Sequence, residues 1–274
     1  MTFYPAFRAP FACRAADCRH TCCRGWEIDV DEAALRRYAA VKGDLGSDLR
    51  RSIYQDDDGV HFLLTEDERC PFLQPDGLCR LICELGEEAL CDICAQHPRF
   101  YVPFDTETFG DCEFSGYGLS CEAACALLLA EEQPLCVVSD ETGERMTVPA
   151  LLEIPENVLR FDGALPSDSY LRRMHETEPI DDQWPEELSR LSVGLQKLIT
   201  LPTGVRYDRI LQYILLRQLD RAGETPVERL IDFARDSTAF VASQDALYGT
   251  DAEHLRRWSE QIEYSTENVD ILLG

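Results

Sequence analysis

The sequence predicts a mainly α-helical protein with short β hairpins, in which a cysteine-rich metal-cluster region is wrapped by a helical C-terminal part. Three observations lead there. Twelve of the thirteen cysteines lie before residue 126, and none follows Cys136. From Pro185 onward, apolar residues recur at three- and four-residue intervals, the spacing of one helix face. Between these regions, two short apolar runs flank Asp140-Glu141-Thr142-Gly143, the pattern of a hairpin. The shift in cysteine use divides the chain into residues 1–132, a cysteine-rich metal-cluster domain, and residues 133–274, a helical domain with one β-hairpin.

The elements follow in order. Pro5, Pro10 and closely spaced cysteines leave residues 1–30 without a helical or strand period. A helix begins near Asp29, with Glu32 three residues on. It carries Ala34, Leu35, Tyr38 and Val41 as its stripe and ends at Lys42-Gly43. Ser47 caps a short helix over 47–54, Asp56-Asp57-Asp58-Gly59 is a solvated turn, and 61–64 is a short strand. Helices are expected over 81–90 and 91–96, the second stopped by Pro98. The glycine- and aromatic-rich stretch 101–117 reads as loop or short strands, and Ser120 caps a helix over 121–132. The hairpin pairs 135–139 with 145–148. Beyond it, Pro185 opens a helix through Leu188, Leu191, Leu195 and Leu198, and 207–219 carries Ile210, Leu211, Ile214, Leu215 and Leu219 on one face. Thr225-Pro226-Val227-Glu228 reads as a capping box, Asp251 opens another helix, and Thr266 starts a last turn.

The net charge of −25 argues against a nucleic-acid backbone as partner, because such binding needs clustered Lys and Arg. Residues 1–130 hold 23 acidic and 12 basic side chains and the remainder 28 and 14, so the acidity is spread over the chain and is not a tail. No run approaches the roughly 18 apolar residues of a membrane span. The first dozen residues lack the apolar core of a signal peptide and contain Arg8. A cytoplasmic protein with no membrane partner is the expectation.

The cysteines form three groups: Cys13-x4-Cys18-x3-Cys22-Cys23; Cys70-x8-Cys79-x3-Cys83 followed by Cys91-x2-Cys94-x2-His97; and Cys121-x3-Cys125. A disulfide scaffold fits poorly, since the count is odd and a chain of this length needs no staples. Crowded thiols in a reducing compartment bind soft metals such as zinc or iron–sulfur clusters. The spacing is neither that of a zinc ribbon nor the compact run of bacterial ferredoxins, so it does not choose the metal.

Cys18-x3-Cys22-Cys23-Arg24-Gly25-Trp26, Arg69-Cys70-Pro71-Phe72-Leu73, Asp76-Gly77-Leu78-Cys79, Leu85-Gly86-Glu87-Glu88, Leu90-Cys91-Asp92-Ile93-Cys94, Pro98-Arg99 and Gly118-Leu119-Ser120-Cys121-Glu122-Ala123-Ala124 form an ordered string. It resembles the flagellin lysine-N-methylase family, within a broader set of zinc- or iron-chelating cysteine-cluster proteins. The resemblance covers residues 13 to about 128. It implies S-adenosylmethionine-dependent methyl transfer to lysines of flagellin or another lysine-bearing protein. It also implies an iron–sulfur cluster, of the 4Fe-4S type with zinc as the alternative, held by Cys13, Cys18, Cys22, Cys23, Cys70, Cys79, Cys94 and Cys121. Cys83, Cys91, Cys112, Cys125 and Cys136 are then structural thiols.

No glycine-rich loop after a strand and no radical-enzyme Cys-x3-Cys-x2-Cys advertises a cofactor cradle. Methyl transfer would need a neutral, desolvated lysine amine. Candidate proton acceptors near the cysteines include Glu87, Glu88, Asp92, Tyr101 and Tyr117, and Arg99 could pair with a carboxylate or offset cluster charge. Trp26 is expected to pack over the cluster. His20 and His97 are possible additional ligands, and His61, His175 and His254 are read as structural. The rival to the enzyme is a non-catalytic module that binds zinc or iron for storage, delivery or sensing. A redox role for Cys91-x2-Cys94 lacks the thioredoxin-like context.

Overall fold

A computed structural model describes residues 1–57 and 59–274; Asp58, in the expected acidic turn, lies outside the described residues. In chain order the elements are β1 (Thr2–Pro5), α1 (Glu32–Ala40), α2 (Gly43–Ser52), β2 (Ile53–Gln55), β3 (Val60–Phe62), α3 (Arg80–Leu85) and α4 (Asp92–Gln96). There follow β4 (Arg99–Thr106), β5 (Gly110–Tyr117), α5 (Glu122–Ala130), β6 (Cys136–Ser139), β7 (Arg145–Thr147), α6 (Val148–Leu151) and α7 (Asp168–Met174). The chain ends with α8 (Trp184–Leu195), α9 (Val205–Arg217), α10 (Val227–Tyr248), α11 (Ala252–Ile262) and α12 (Thr266–Leu273). The mainly helical character and the β hairpins agree with the sequence.

Two compact units divide the chain at Phe11/Ala12 and His97/Pro98. The smaller is Ala12–His97; the larger is Met1–Phe11 with Pro98–Gly274. The boundary read at residue 132 therefore falls inside the larger unit. Cys112, Cys121, Cys125 and Cys136 belong to the larger unit and the other nine cysteines to the smaller.

In the larger unit the strands form one mixed sheet in the order β4-β5-β1-β6-β7. Its middle strand, β1, was read as irregular chain. It alternates half-buried and buried residues, with Phe3 fully covered, and runs parallel to β5 and antiparallel to β6. Pro5 is tolerated because it is the strand's last residue. β4 and β5 pair without interruption from Arg99↔Tyr117 to Thr106↔Gly110, longer than the loop or short strands expected there. β4 accepts Pro103 because it is an edge strand. Glu153 fastens the connecting turn, its carboxylate accepting from the backbone N–H of Glu107 and Thr108.

α9 runs through the middle of this unit's core, with every residue from Arg209 to Leu216 buried. Tyr213 ties it to the end of β5: its hydroxyl accepts from Tyr117 N at 2.6 Å and donates to Tyr117 O at 2.9 Å. Arg209, wholly buried, donates to the carbonyls of Leu128 and Gln133 at 2.8 Å each, satisfying the end of α5. The capping box read at Thr225–Glu228 does not form, since Pro226 occupies the N-cap of α10 with no side-chain bond. Asp251 does cap α11, as read.

The smaller unit packs around Tyr38, Phe62 and Phe72, with Cys70 and Cys91 in the same apolar cluster. The β2–β3 hairpin gains a third extended segment, because Phe62 N donates to Ile28 O and Val30 N to Val60 O. α1 starts two residues later than read. Asp31, not Asp29, is its N-cap, accepting from Ala34 N at 2.8 Å; the other carboxylate oxygen accepts from Asp92 N, at the start of α4, at 2.8 Å. The expected helix over 81–90 breaks at Gly86, whose φ of +92° suits glycine, and finishes as a short 3-10 turn.

Asp31 thus holds two helix starts with one side chain. Burial opposes its charge, but the hydrogen bonds from Ala34 and Asp92 and the charge of Arg37 outweigh that, so its pKa sits below the ordinary value. A depressed carboxylate contributes stability that is present above its unfolded pKa of roughly 4 and is lost as pH falls through the folded value. Asp31→Asn keeps an oxygen for Ala34 but sets an amide NH₂ against the Asp92 N–H, and is expected to cost about 1 kcal/mol near neutrality, the scale of one lost hydrogen bond. In urea titrations its deficit should shrink as the pH is taken below about 4. A deficit independent of pH would assign the loss to packing.

The metal-cluster part of the expected fold class is corrected. Among the described residues, no three cysteine sulfurs come together closely enough to hold one ion; the single convergent group of ligand atoms contains no cysteine.

Candidate metal centre

The convergent group is Glu27, Asp29 and His61. Glu27 and Asp29 are two apart on the extended segment beside β3, so both project from one side of it. Asp29 pairs directly across from His61 in β3. His61 Nδ1 lies 2.9 Å from Asp29 Oδ1 and 3.1 Å from Glu27 Oε1. The Tyr54 hydroxyl donates to the other oxygen of Glu27 at 2.9 Å, fixing that carboxylate. On the far side of the ring, His61 Nε2 stands 3.3 Å from Asp56 Oδ1, yet it makes no hydrogen bond of proper geometry and is buried.

The imidazole is 3% exposed, whereas the carboxylates of Glu27 and Asp29 are 51% and 65% exposed. Burial works against a charged ring. The hydrogen bond to Asp29 and the charges of Glu27, Asp56 and Asp29 outweigh it, holding the His61 pKa above its ordinary value. Three anionic groups around one imidazole thus form a site for positive charge. Reading His61 as structural and Asp29 as a helix cap missed this group. The signal available was the alternation Glu27-x-Asp29 on a segment flanked by Ile28 and Val30.

The sequence-predicted ligands lie elsewhere. Cys13 and Cys22 are exposed, Cys18, Cys23, Cys79 and Cys94 are half-buried, and Cys70 is buried, all in the smaller unit; Cys121, half-buried, precedes α5 in the larger. All thirteen are free thiols. Cys23, Cys70, Cys79, Cys91 and Cys94 are gathered in and around one apolar cluster of the smaller unit, near enough to feel one another's charge, and two pairs share a hydrogen bond. The Cys22 thiol donates to Cys23 and, against burial, brings it down to about 7. Cys94 donates to Cys91, lowering Cys91 and raising itself. Burial pushes Cys70 up to about 12 and also raises Cys79. A thiolate zinc site needs several sulfurs meeting at one ion. Among the described residues no three of these sulfurs meet within reach of one ion, so the expected cysteine-held centre, 4Fe-4S or zinc, is not borne out.

The other residues singled out from sequence also have structural partners. Trp26 stacks on His97, whose pKa burial lowers, and donates from Nε1 to the Cys22 carbonyl. Tyr117 is buried and tied through its backbone to Tyr213, while Glu87 and Glu88 sit exposed in the 3-10 turn. The passage from β5 to α5 does place Gly118 between a strand and a helix, with Gly116 next to last in the strand. It is filled: a Cβ at Gly116 would lie 2.3 Å from the Phe100 ring, and one at Gly118 would lie 2.4 Å from the Tyr264 hydroxyl. No cradle for S-adenosylmethionine opens there.

The geometry defines a mainly helical protein with a carboxylate–histidine group on a small three-stranded edge. Comparison with known proteins adds partial similarity. The chain is 32% identical over 117 residues, 38% of its length, to a lysine-N-methylase of Salmonella typhimurium and, at the same figures, to one of Salmonella choleraesuis. It is 32% identical over 113 residues, again 38% of the chain, to the flagellar biosynthetic protein FliU of Salmonella muenchen. The chain spans 27% of the length of the methylases and 64% of the FliU protein, so the similarity is that of a shared segment and does not fix a family. It gives enzymatic activity family-level support only. No family model matches the chain, and no solved structure matches it. The expected iron–sulfur, S-adenosylmethionine-dependent methyltransferase is therefore corrected: the segment similarity stands, but no family model or solved structure matches, and among the described residues no three cysteine sulfurs converge. Among the described residues, no helix is long and apolar enough to cross a membrane.

Proposed function

We propose that this chain is a non-catalytic metal-binding module that takes up and releases one Zn²⁺ or Fe²⁺ ion at Glu27, Asp29 and His61, in delivery or sensing. Lysine methylation is a statement about the relatives. The carrying observation is the approach of two carboxylates to the same imidazole nitrogen, at 2.9 and 3.1 Å, from a ring that is buried on its other side. Imidazole and carboxylate together suit zinc and ferrous iron. In a tetrahedral zinc site with ligands at roughly 2.0–2.1 Å, neighbouring donor atoms are about 3.3 Å apart, so the two carboxylate–imidazole separations need open by only a few tenths of an ångström. The Tyr54 hydroxyl on Glu27 supplies an outer partner of the kind that orients metal ligands. Three protein ligands leave a position for water, and the two half-open carboxylates keep a bound ion exchangeable. That suits carriage or sensing better than a permanent structural role.

Calorimetric titration with Zn²⁺, and with Fe²⁺ under argon, after alkylation of the exposed thiols, tests this reading. One ion per chain is expected, with Asp29→Asn weakening it. Metal at 100 times its Kd should stabilise the smaller unit by about 2.7 kcal/mol. Binding that disappears on alkylation and ignores Asp29→Asn would refute the proposal.

A further inference from the structure

The smaller unit sets two cysteines face to face by backbone register. An antiparallel bridge joins Arg24 to Arg69. On either side of it, Cys70 N donates to Cys23 O at 2.8 Å and Gly25 N to Glu68 O at 2.9 Å. Cys23 therefore stands directly across from Cys70, and side chains directly opposite in an antiparallel pair leave the same face. Opposed residues have Cα atoms roughly 4.5–5.5 Å apart, inside the roughly 4.4–6.8 Å that a disulfide spans. Both side chains pack in the same apolar cluster, Cys70 as a buried member and Cys23 as a partly buried one.

The two thiols differ in access and in charge. Cys23 is half-buried and Cys70 only 7% exposed, so a small solute meets Cys23 first. Hydrogen bonds from Cys22 and Thr21 hold Cys23 at about 7 against burial, whereas burial holds Cys70 at about 12. At neutral pH Cys23 is thus in large part a thiolate and Cys70 a protonated thiol. Of the thiols whose charge acts on Cys70, Cys23 acts most strongly, in keeping with its place opposite. A reachable thiolate beside a protected second thiol is the arrangement by which cysteines record oxidation reversibly. Cys22 is no substitute for Cys70, because adjacent Cα atoms are about 3.8 Å apart, short of the disulfide range.

We infer that Cys23 is a site of oxidation by hydroperoxides, hydrogen peroxide among them, and that Cys70 captures the oxidised sulfur as a Cys23–Cys70 disulfide. The Cys23 thiolate attacks one peroxide oxygen. An S–O bond forms, the O–O bond breaks, and hydroxide leaves to take a proton from solvent. The Cys70 sulfur then attacks the sulfur of the Cys23 sulfenic acid. The S–S bond forms, the S–O bond breaks, and the hydroxyl leaves as water with the Cys70 proton. The two sulfurs together lose two electrons and the peroxide gains two. A dithiol reductant returns both thiols by exchange. The inference does not rest on the metal proposal, since it uses none of Glu27, Asp29 and His61 and is tested on metal-free chain.

The full chain, freed of metal with EDTA, is treated with one equivalent of hydrogen peroxide, and its remaining thiols are blocked with N-ethylmaleimide. The monomer band of a non-reducing gel is then cut with trypsin. The first disulfide to form should link residues 20–24 to residues 70–80, the peptides bounded by Arg19, Arg24, Arg69 and Arg80. Dithiothreitol should remove the link. The same peptides carry Cys22 and Cys79, so Cys22→Ser and Cys79→Ser should each keep the link, while Cys23→Ser and Cys70→Ser should each lose it. Cys70→Ser should instead accumulate Cys23 as sulfenic acid, trapped by dimedone roughly fivefold or more above wild type. Fragmentation of the linked wild-type peptides places the bond without any variant, so the test survives a substitution that fails to fold. The inference is overturned if no disulfide forms, if the first to form joins any other pair, Cys91–Cys94 included, or if the link persists in Cys23→Ser or Cys70→Ser.

Discussion

His61→Ala is expected to bind Zn²⁺ or Fe²⁺ at least 10- to 100-fold more weakly than the native chain, because loss of a mere outer-shell partner already costs that much. The ring is the only member of the group that is buried, so it is the one whose position is fixed before the ion arrives. Glu27 and Asp29, exposed by half or more, can adjust to an ion; they cannot replace a nitrogen ligand held between them. The variant should keep its far-UV circular dichroism, since His61 contributes one side chain to a three-stranded edge whose backbone pairing remains. Its thermal midpoint should then cease to respond to added metal. A His61→Ala chain that binds Zn²⁺ with native affinity would show that the carboxylates alone, or the thiols, hold the ion.

The second large effect concerns the larger unit. Trp258 on α11 has no exposed surface; its indole N–H donates to the Tyr170 hydroxyl at 3.1 Å, which is itself 2.9 Å from Ser237 Oγ. Phe233 packs against it with ring centroids 6.3 Å apart. Trp258→Ala removes the largest kind of side chain from this core and leaves Tyr170 short of a donor. A loss of roughly 3–5 kcal/mol is expected, cavity included. For a unit of this size, each kilocalorie corresponds to about 2–4 °C, so the melting temperature should fall by roughly 6–20 °C. Trp258→Phe keeps most of the ring volume but loses the N–H, and should fall between. Equal losses for Ala and Phe would place the contribution in the hydrogen bond.

The helices of the larger unit were legible because their signals are local. Leu188, Leu191 and Leu195 repeat on one face within a single helix, and Asp251 caps the helix that begins one residue later. β1 was not legible. A four-residue strand ending in proline carries too little period, and its partners lie more than a hundred residues away at Glu113 and Val138. The same limit applied to the site. His61 gains its meaning from register, through the bridge that sets it opposite Asp29, and no count of residue types supplies a register. The cysteines misled for a related reason. Close spacing brings Cys22 to Cys23 and Cys91 to Cys94, but convergence at one centre depends on how distant segments fold. Here Cys70 and Cys91 join the apolar core with Tyr38 and Phe72.

Zinc K-edge X-ray absorption on the metal-loaded chain tests the central claim most directly, since sulfur and light-atom ligands scatter at different distances. A carboxylate–imidazole site predicts a first shell of nitrogen and oxygen at roughly 2.0–2.2 Å with imidazole outer-shell scattering. A first shell dominated by sulfur at about 2.3 Å would contradict it and move the metal to the thiols.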